Sequence, residues 1–177
     1  MLKQVIFESE RLLFFRPEKD DFDFLRSCQT DSRMMEHQGG LMDETQMNKF
    51  LNRLKEHWLK HGFGHYIAIL KDKKILVGYF SLKYLTDAHA ELKEPDLGYA
   101  IIPKFWGMGL ATEGGKALVK YAFDKLHFSK IQALNYPENK ASTRVLEKIG
   151  FKKVGTVEVE YLGRNYGTST KWELAAL

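Results

Sequence analysis

The chain has 177 residues, 44% of them apolar and 28% charged, enough for one well-buried core and too few for two comfortable ones. That balance excludes a disordered chain, no apolar run approaches the ~20 residues that a bilayer span needs, and the start, with Glu8 and Glu10, reads against a secretory leader. The net charge of +4 is mild and dispersed; it suits an anionic ligand or a plain soluble surface and argues against nucleic acid and membrane as partners, while the lone Cys28 rules out an internal disulfide and fits a cytoplasmic setting.

Arg11–Arg16 reads as a first strand ended by Pro17, and Asp20 or Asp21 caps a helix through Cys28, a small buried residue rather than a nucleophile. A short helix over Ser32–Glu36 precedes the break at Gly39 and Gly40. Asp43 opens the helix Glu44–Lys60, whose Met47, Phe50, Leu51, Leu54 and Trp58 recur at helical spacing, and Gly62 and Gly64 stop it. Tyr66–Leu70 and Ile75–Leu85 form a hairpin around Lys71–Lys74. Asp96–Ile102 is the next strand, ended by Pro103. A Gly-rich turn, Trp106–Ala111, leads into the helix Thr112–Leu126, then the strand Lys130–Leu134, the helix Asn139–Ile149 with Gly150 past its end, and the strands Lys152–Glu160 and Thr168–Leu174. The order predicts one α/β domain over residues 1–177, a mixed sheet of about seven strands with helices on both faces.

The segment Tyr99–Glu113 carries the chemistry. A strand, Gly107 and Gly109, and a helix start make an anion site, because unpaired backbone N–H groups and the helix dipole both favour a phosphate there. It is not a Walker loop, since no Gly-Lys-Ser/Thr follows, and not Gly-x-Gly-x-x-Gly, since Thr112 takes the third glycine's place. Alone, a glycine pair before a helix is more often a plain turn.

Taken with NKASTRVLEKIGF (Asn139–Phe151), the segment DLGYAIIPKFWGMGLATEGGKAL (Asp96–Leu118) resembles the Gcn5-related N-acetyltransferase (GNAT) superfamily, in particular the RimJ/RimL-type branch that acetylates the N-terminal amines of ribosomal proteins. SERLLFFRP (Ser9–Pro17) and YLGRNYGTSTKWEL (Tyr161–Leu174) look like that branch's opening strand and closing hairpin. The resemblance implies a mostly antiparallel sheet in which Asp96–Ile102 and Lys130–Leu134 splay apart around the pantetheine arm of acetyl-CoA. It implies that Trp106, Gly107, Met108, Gly109, Leu110, Ala111 and Thr112 form the pyrophosphate motif, and that the backbone of Ala100, Ile101 and Ile102 pairs with the pantetheine amides. A main-chain N–H near Ile101 or Ile102 then polarises the thioester carbonyl. Asn139, Ser142 and Arg144, with Lys140, fall in the second cofactor motif.

The same resemblance implies direct attack of a primary amine, with no covalent enzyme intermediate and no metal. Asp96 occupies a place where the family often has an acid, and Glu91 and Glu94 lie just before it; each reads equally as a solvated carboxylate. Many members carry a proton-donating Tyr seven residues after the motif's Asn; here that place holds Leu146, and Ser142 is the alternative acid. A family Asp is replaced by Thr168 and Ser169. The acceptor, a protein N-terminus or a small amine, is left to the loops Met34–Asp43 and Tyr161–Gly167, and a homodimer is compatible with the family habit. An acyl-CoA sensor without turnover and, more weakly, a nucleotide-binding regulator remain as alternatives.

Some signals point to structure. His57, His61 and His65 share a spacing of four but are interrupted by Gly62 and Gly64, so they read as a solvated helix face rather than a metal site. Trp58, Phe63 and Tyr66 read as core before acceptor pocket, and Lys104 and Lys116 as a solvated basic face.

Overall fold

The computed structural model describes residues 3–85, 93–161 and 163–176. Eight strands form one sheet: β1 (Val5–Glu8), β2 (Leu12–Phe15), β3 (His65–Leu70), β4 (Leu76–Lys83), β5 (Asp96–Ile101), β6 (Lys130–Asn135), β7 (Lys152–Tyr161) and β8 (Arg164–Ala175). Their spatial order is β1-β2-β3-β4-β5-β6-β8-β7. All neighbours run antiparallel except β5 and β6. The helices are α1 (Phe22–Thr30), α2 (Ser32–Met35), α3 (Glu44–His61), α4 (Leu110–Asp124) and α5 (Lys140–Ile149).

The central strands β3 and β4 are buried on both sides, the edge strand β7 is largely exposed, and side chains alternate between the faces. Along β4, Phe80 and Leu82 point to one face and are fully buried. Gly114 of α4 sits against Phe80, where an added Cβ would lie 2.3 Å from the ring. This glycine is therefore a packing residue: α4 approaches the sheet as closely as the ring allows. Tyr79 and Ser81 point to the other face, toward α1 and α3; the Tyr79 hydroxyl accepts from Gln29 at 2.8 Å, and Phe50 of α3 meets His65 edge-on at 5.3 Å.

Helix ends follow local chemistry. Asp43 and Gln46 form a reciprocal capping box at the start of α3, and Gly62, at φ +75°, closes it in the left-handed region where a Cβ is unfavourable.

Three expectations need correction. β1 was not expected; its four residues bring the sheet to eight strands. Helix α4 begins at Leu110, two residues before the predicted Thr112, because Gly109 itself takes the N-cap position. The segment 161–167 is mostly strand rather than loop, since Tyr161 pairs with Arg164 and Glu160 with Asn165. Pairing across the hairpin overrides the turn preference of Asn165 and Gly167.

Candidate active site

The sheet parts at its centre. β5 and β6 keep one parallel register pair, Asp96 with Gln132, and Gln132 N–H donates to Pro95 C=O at 2.9 Å. Beyond that point the cleft-side edge of β5 has no partner strand. The Ile102 N–H donates to Val77 C=O of β4 at 2.8 Å. Backbone groups alternate along a strand, so Tyr99 and Ile101 turn their N–H and C=O groups toward the parted side, while Ala100 and Ile102 turn theirs toward β4. The Ile102 N–H, expected as a candidate thioester-polarising donor, is thus occupied by β4, and the N–H groups that face the parted side are those of Tyr99 and Ile101. Two side chains already reach this edge: Trp106 Nε1 donates to Ile101 C=O at 2.6 Å, and Gln38 Nε2 to Tyr99 C=O at 3.4 Å.

A cleft of about 390 Å³ runs from this edge to the start of α4, lined by Ala100, Ile101, Trp106, Gly107, Leu110, Ala111, Asn139, Lys140 and Ser142 among others. Gly107 and Gly109, at φ +76° and +77°, bend the chain through the left-handed region. Gly109 offers no side-chain cap, so the first N–H groups of α4 are left for a ligand. The turn is braced from outside. The Glu113 carboxylate accepts from Ser9 Oγ at 2.6 Å, Arg11 N–H at 2.7 Å and Arg11 Nε at 2.6 Å, and Arg11 Nη2 donates to Met108 C=O at 3.0 Å. Burial works to raise the Glu113 carboxyl, but these bonds outweigh it and hold it below the usual range. Met108, Gly109, Thr112 and Ile102 do not line the cleft wall, and neither does Arg144, which is exposed on α5. Lys140 lines it, with Nζ donating to Pro137 C=O at 3.1 Å. Lys104 instead lies 4.9 Å over the Phe105 ring, and Lys116 is exposed.

A second chamber, about 210 Å³, opens on the other side of the parting. The chamber and the cleft share His37, Gln38, Tyr99, Asn139 and Ser142. At this junction the Tyr99 hydroxyl and Ser142 Oγ are 2.9 Å apart. Asn139 Oδ1 accepts from Ser142 N–H at 2.9 Å, so it caps α5 and fixes Ser142. Burial pushes the Tyr99 phenol up to about 12, against the Ser142 hydrogen bond. Tyr99 was overlooked as a functional residue, although the aromatic in DLGYAII, on a strand that parts from its neighbour, was the available signal. Leu146 is buried in the chamber wall and offers no proton.

Asp96 also lines the chamber. It is 5% exposed, with Oδ2 3.2 Å from Lys83 Nζ, while its buried Oδ1 has no hydrogen-bond partner. Burial pushes its carboxyl above the ordinary value despite the Lys83 ammonium. Glu94 lies 3.6 Å from Lys130, away from the chamber wall; Glu91 lies outside the described residues. The loops expected to set the acceptor are tied together by Arg164, another residue overlooked in the sequence. It is buried, donates to Gly39 and Gly40 C=O, and lies over Tyr166 at 5.7 Å. Ser169 lines the chamber, and Thr168 donates to Glu158.

Two of the three histidines, His57 and His65, do not lie on a solvated face, while His61 is half-buried. His57 is buried, its Nδ1 2.8 Å from Phe63 C=O and its Nε2 accepting from Tyr84 N–H at 3.0 Å; His65 is buried on β3. Among the described residues, no three or more His, Cys, Asp or Glu side chains gather to hold a metal. Trp58, Phe63 and Tyr66 are core. Cys28 is core as well, its thiol pushed up to about 12 by burial. No helix among the described residues is long and apolar enough to cross a membrane.

Comparison with known proteins agrees with this geometry. Residues 11–152 match the family described as acetyltransferase (GNAT) domain. The uncharacterized N-acetyltransferase YoaA of Bacillus subtilis is 36% identical over 95 residues, 54% of this chain and 51% of that protein, so the match spans about half of the relative's length. A crystal structure of a GNAT-family acetyltransferase from Bacillus anthracis superposes with a TM-score of 0.75 at 27% identity, covering 96% of this chain and 97% of that one. Spermidine N-acetyltransferase from Vibrio cholerae, solved with CoA and spermine, superposes with a TM-score of 0.75 over 93% of this chain and 95% of that one; at 17% identity it shows a shared fold alone.

Proposed function

The chain belongs to the GNAT acetyltransferase family, and from that premise we propose that it transfers an acetyl group from acetyl-CoA to a primary amine by direct attack. The observation that carries the reading is the parted β5–β6 pair leading to an uncapped helix start, with a separate chamber meeting the cleft at Tyr99 and Ser142. A cradle of left-handed glycines and free N–H groups fits a diphosphate, and the open edge of β5 fits an amide-bearing arm.

Acetyl-CoA supplies an activated thioester, so the protein has to align, polarise and manage protons. The Gly107–Ala111 turn grips the diphosphate, with Lys140 beside it. The Ile101 or Tyr99 N–H donates to the carbonyl oxygen as charge builds there. The amine enters from the chamber, where Asp96 takes up its proton. A C–N bond forms as the C–S bond breaks; one proton leaves nitrogen and one reaches sulfur. A phenol near 12 is a poor acid toward a thiol of about 8.5, so Tyr99, held by Ser142, stabilises the departing sulfur by hydrogen bonding rather than by full proton transfer. The RimJ/RimL-like reading, a protein N-terminal amine as acceptor, is supported by the four matching segments of sequence.

The direct test is Ala111→Trp. Ala111 lines the cleft within the first turn of α4, where a large side chain fills the space without backbone strain; Gly109, at φ +77°, is a less clean probe. Calorimetry is expected to show acetyl-CoA binding by the native protein and a loss of at least a hundredfold in the variant. Equal affinity in both would sink the assignment. Thiol release with acetyl-CoA and an amine panel separates an enzyme from a sensor.

A further inference from the structure

The turn that precedes α4 is held at both ends. At its start, Trp106 N–H donates to Pro103 C=O at 3.1 Å and its indole Nε1 to Ile101 C=O at 2.6 Å. At its end, Arg11 Nη2 donates to Met108 C=O at 3.0 Å, and the same guanidinium donates through Nε to Glu113 at 2.6 Å. These last partners lie 97 and 102 positions apart in the chain, so the contact is a tertiary one and no by-product of the turn itself. Arg11 is in turn fixed through its own backbone. Its C=O accepts from Lys71 N–H at 2.9 Å, Ser9 N–H donates to Leu12 C=O at 2.9 Å, and Lys71 Nζ lies 2.9 Å from Glu8. The connection between β1 and β2 is thereby tied to the end of β3, and it presents Arg11 to the outside of the glycine turn.

The contact has two physical effects. The first is geometric. A peptide bond is planar and trans, so a Met108 C=O turned toward Arg11 turns the Gly109 N–H to the opposite side. Gly107 and Gly109 give this backbone wide conformational freedom, and fixing one of its peptide planes removes part of that freedom before a ligand arrives. The second effect is electrostatic. Glu113 sits in the first turn of α4. A carboxylate there suits the helix dipole but repels an anion at the same helix start. The Arg11 guanidinium and N–H, with the Ser9 hydroxyl, take up that charge.

We propose that Arg11 is a positioning residue for the diphosphate of acetyl-CoA: by holding Met108 C=O outward it aims the Gly109 N–H into the cleft, and by offsetting Glu113 it keeps the helix start receptive to an anion. The inference rests on the acetyl-CoA reading of the cleft and adds to it a residue that lies outside both cofactor motifs. Arg11 acts through the turn and not by lining the cleft wall.

The experiment measures acetyl-CoA affinity of the full chain by calorimetry, with a thermal melt of each variant to show that it is folded. Arg11→Met deletes the fork and removes the cation beside Glu113, and the Kd is expected to rise about twentyfold, as suits one lost charge-assisted hydrogen bond and one exposed like charge. Adding Glu113→Gln removes that carboxylate charge and is expected to recover about fivefold of the loss. A merely structural brace predicts no recovery, because the double variant has lost both halves of the pair. Arg11→Lys keeps the charge without the fork, and its Kd is expected to rise about fivefold. Native affinity in Arg11→Met, or a double variant that binds no tighter than Arg11→Met, overturns the proposal. Where Arg11→Met does not fold, Arg11→Lys decides, and an unchanged Kd in that variant overturns it. Absence of acetyl-CoA binding by the native protein defeats the acetyl-CoA reading first, and the role of Arg11 with it.

Discussion

Tyr99 stands where the two cavities meet, and its hydroxyl is held by Ser142. In the proposed mechanism this pair takes the role that Leu146 cannot fill. Removing one hydrogen bond made mainly as the sulfur departs costs about 1–1.5 kcal/mol, so Tyr99→Phe is expected to lower kcat about tenfold with the acetyl-CoA Kd within twofold. Ser142→Ala, which frees the phenol without deleting it, is expected to cost less. Steady-state kinetics with calorimetry checks both, and a native kcat in Tyr99→Phe removes the phenol from the chemistry. Ser142 was visible in the sequence because it lies in a motif. Tyr99 was legible only as the aromatic of DLGYAII on a strand expected to part, and its meeting with Ser142 where two cavities join follows from the packing of α5 against that strand. Ile102 was misassigned for a related reason: which strand edge a given N–H faces depends on pairing, and pairing is not written in composition.

At the scale of elements, α4 carries both the proposed anion cradle and a close helix-to-sheet contact at Gly114. Its glycines divide the work: Gly109 permits the turn, Gly114 the approach to Phe80 of the sheet, and Gly115 the approach of Ile149 on α5. Alanine is intrinsically favoured over glycine inside a helix by about 1 kcal/mol. Against that, the Gly114→Ala methyl would press 2.3 Å from Phe80, and overpacking of this kind costs about 1–3 kcal/mol. Net destabilisation in urea is expected, with partial recovery when Phe80→Leu is added; a more stable Gly114→Ala protein would refute the packing argument. Most elements were legible from periodicity and caps, as α3 illustrates with its apolar spacing and Asp43 box. β1 escaped because four residues between polar ends make too short a pattern, and the early part of β8 escaped because Gly163, Asn165 and Gly167 read as turn, whereas hairpin pairing with β7 makes Asn165 and Gly167 strand and leaves Gly163 in the turn.

For the whole molecule, stability should depend on pH through the interior histidines. An unfolded imidazole takes its proton near 6.5, while folded His57 takes it only at about 4, chiefly because of burial. Between those values the unfolded chain binds more protons, so stability is full above about 6.5 and is lost as pH falls toward 4. His65 acts in the same direction. Thermal melts at pH 7.5 and 5 are expected to show a lower Tm at the acid value, and His57→Gln to show a smaller drop. An acid drop as large in that variant as in the native protein would assign the effect to other groups.

The unzipped middle of the sheet has a further consequence. A guest gripped through peptide groups is recognised by atoms that every residue possesses, so substitutions along β5 and β6 can accumulate without erasing the grip. On the proposed acetyl-CoA reading, that tolerance fits fold neighbours that keep the architecture at 17–27% identity and leaves the chamber wall free to differ.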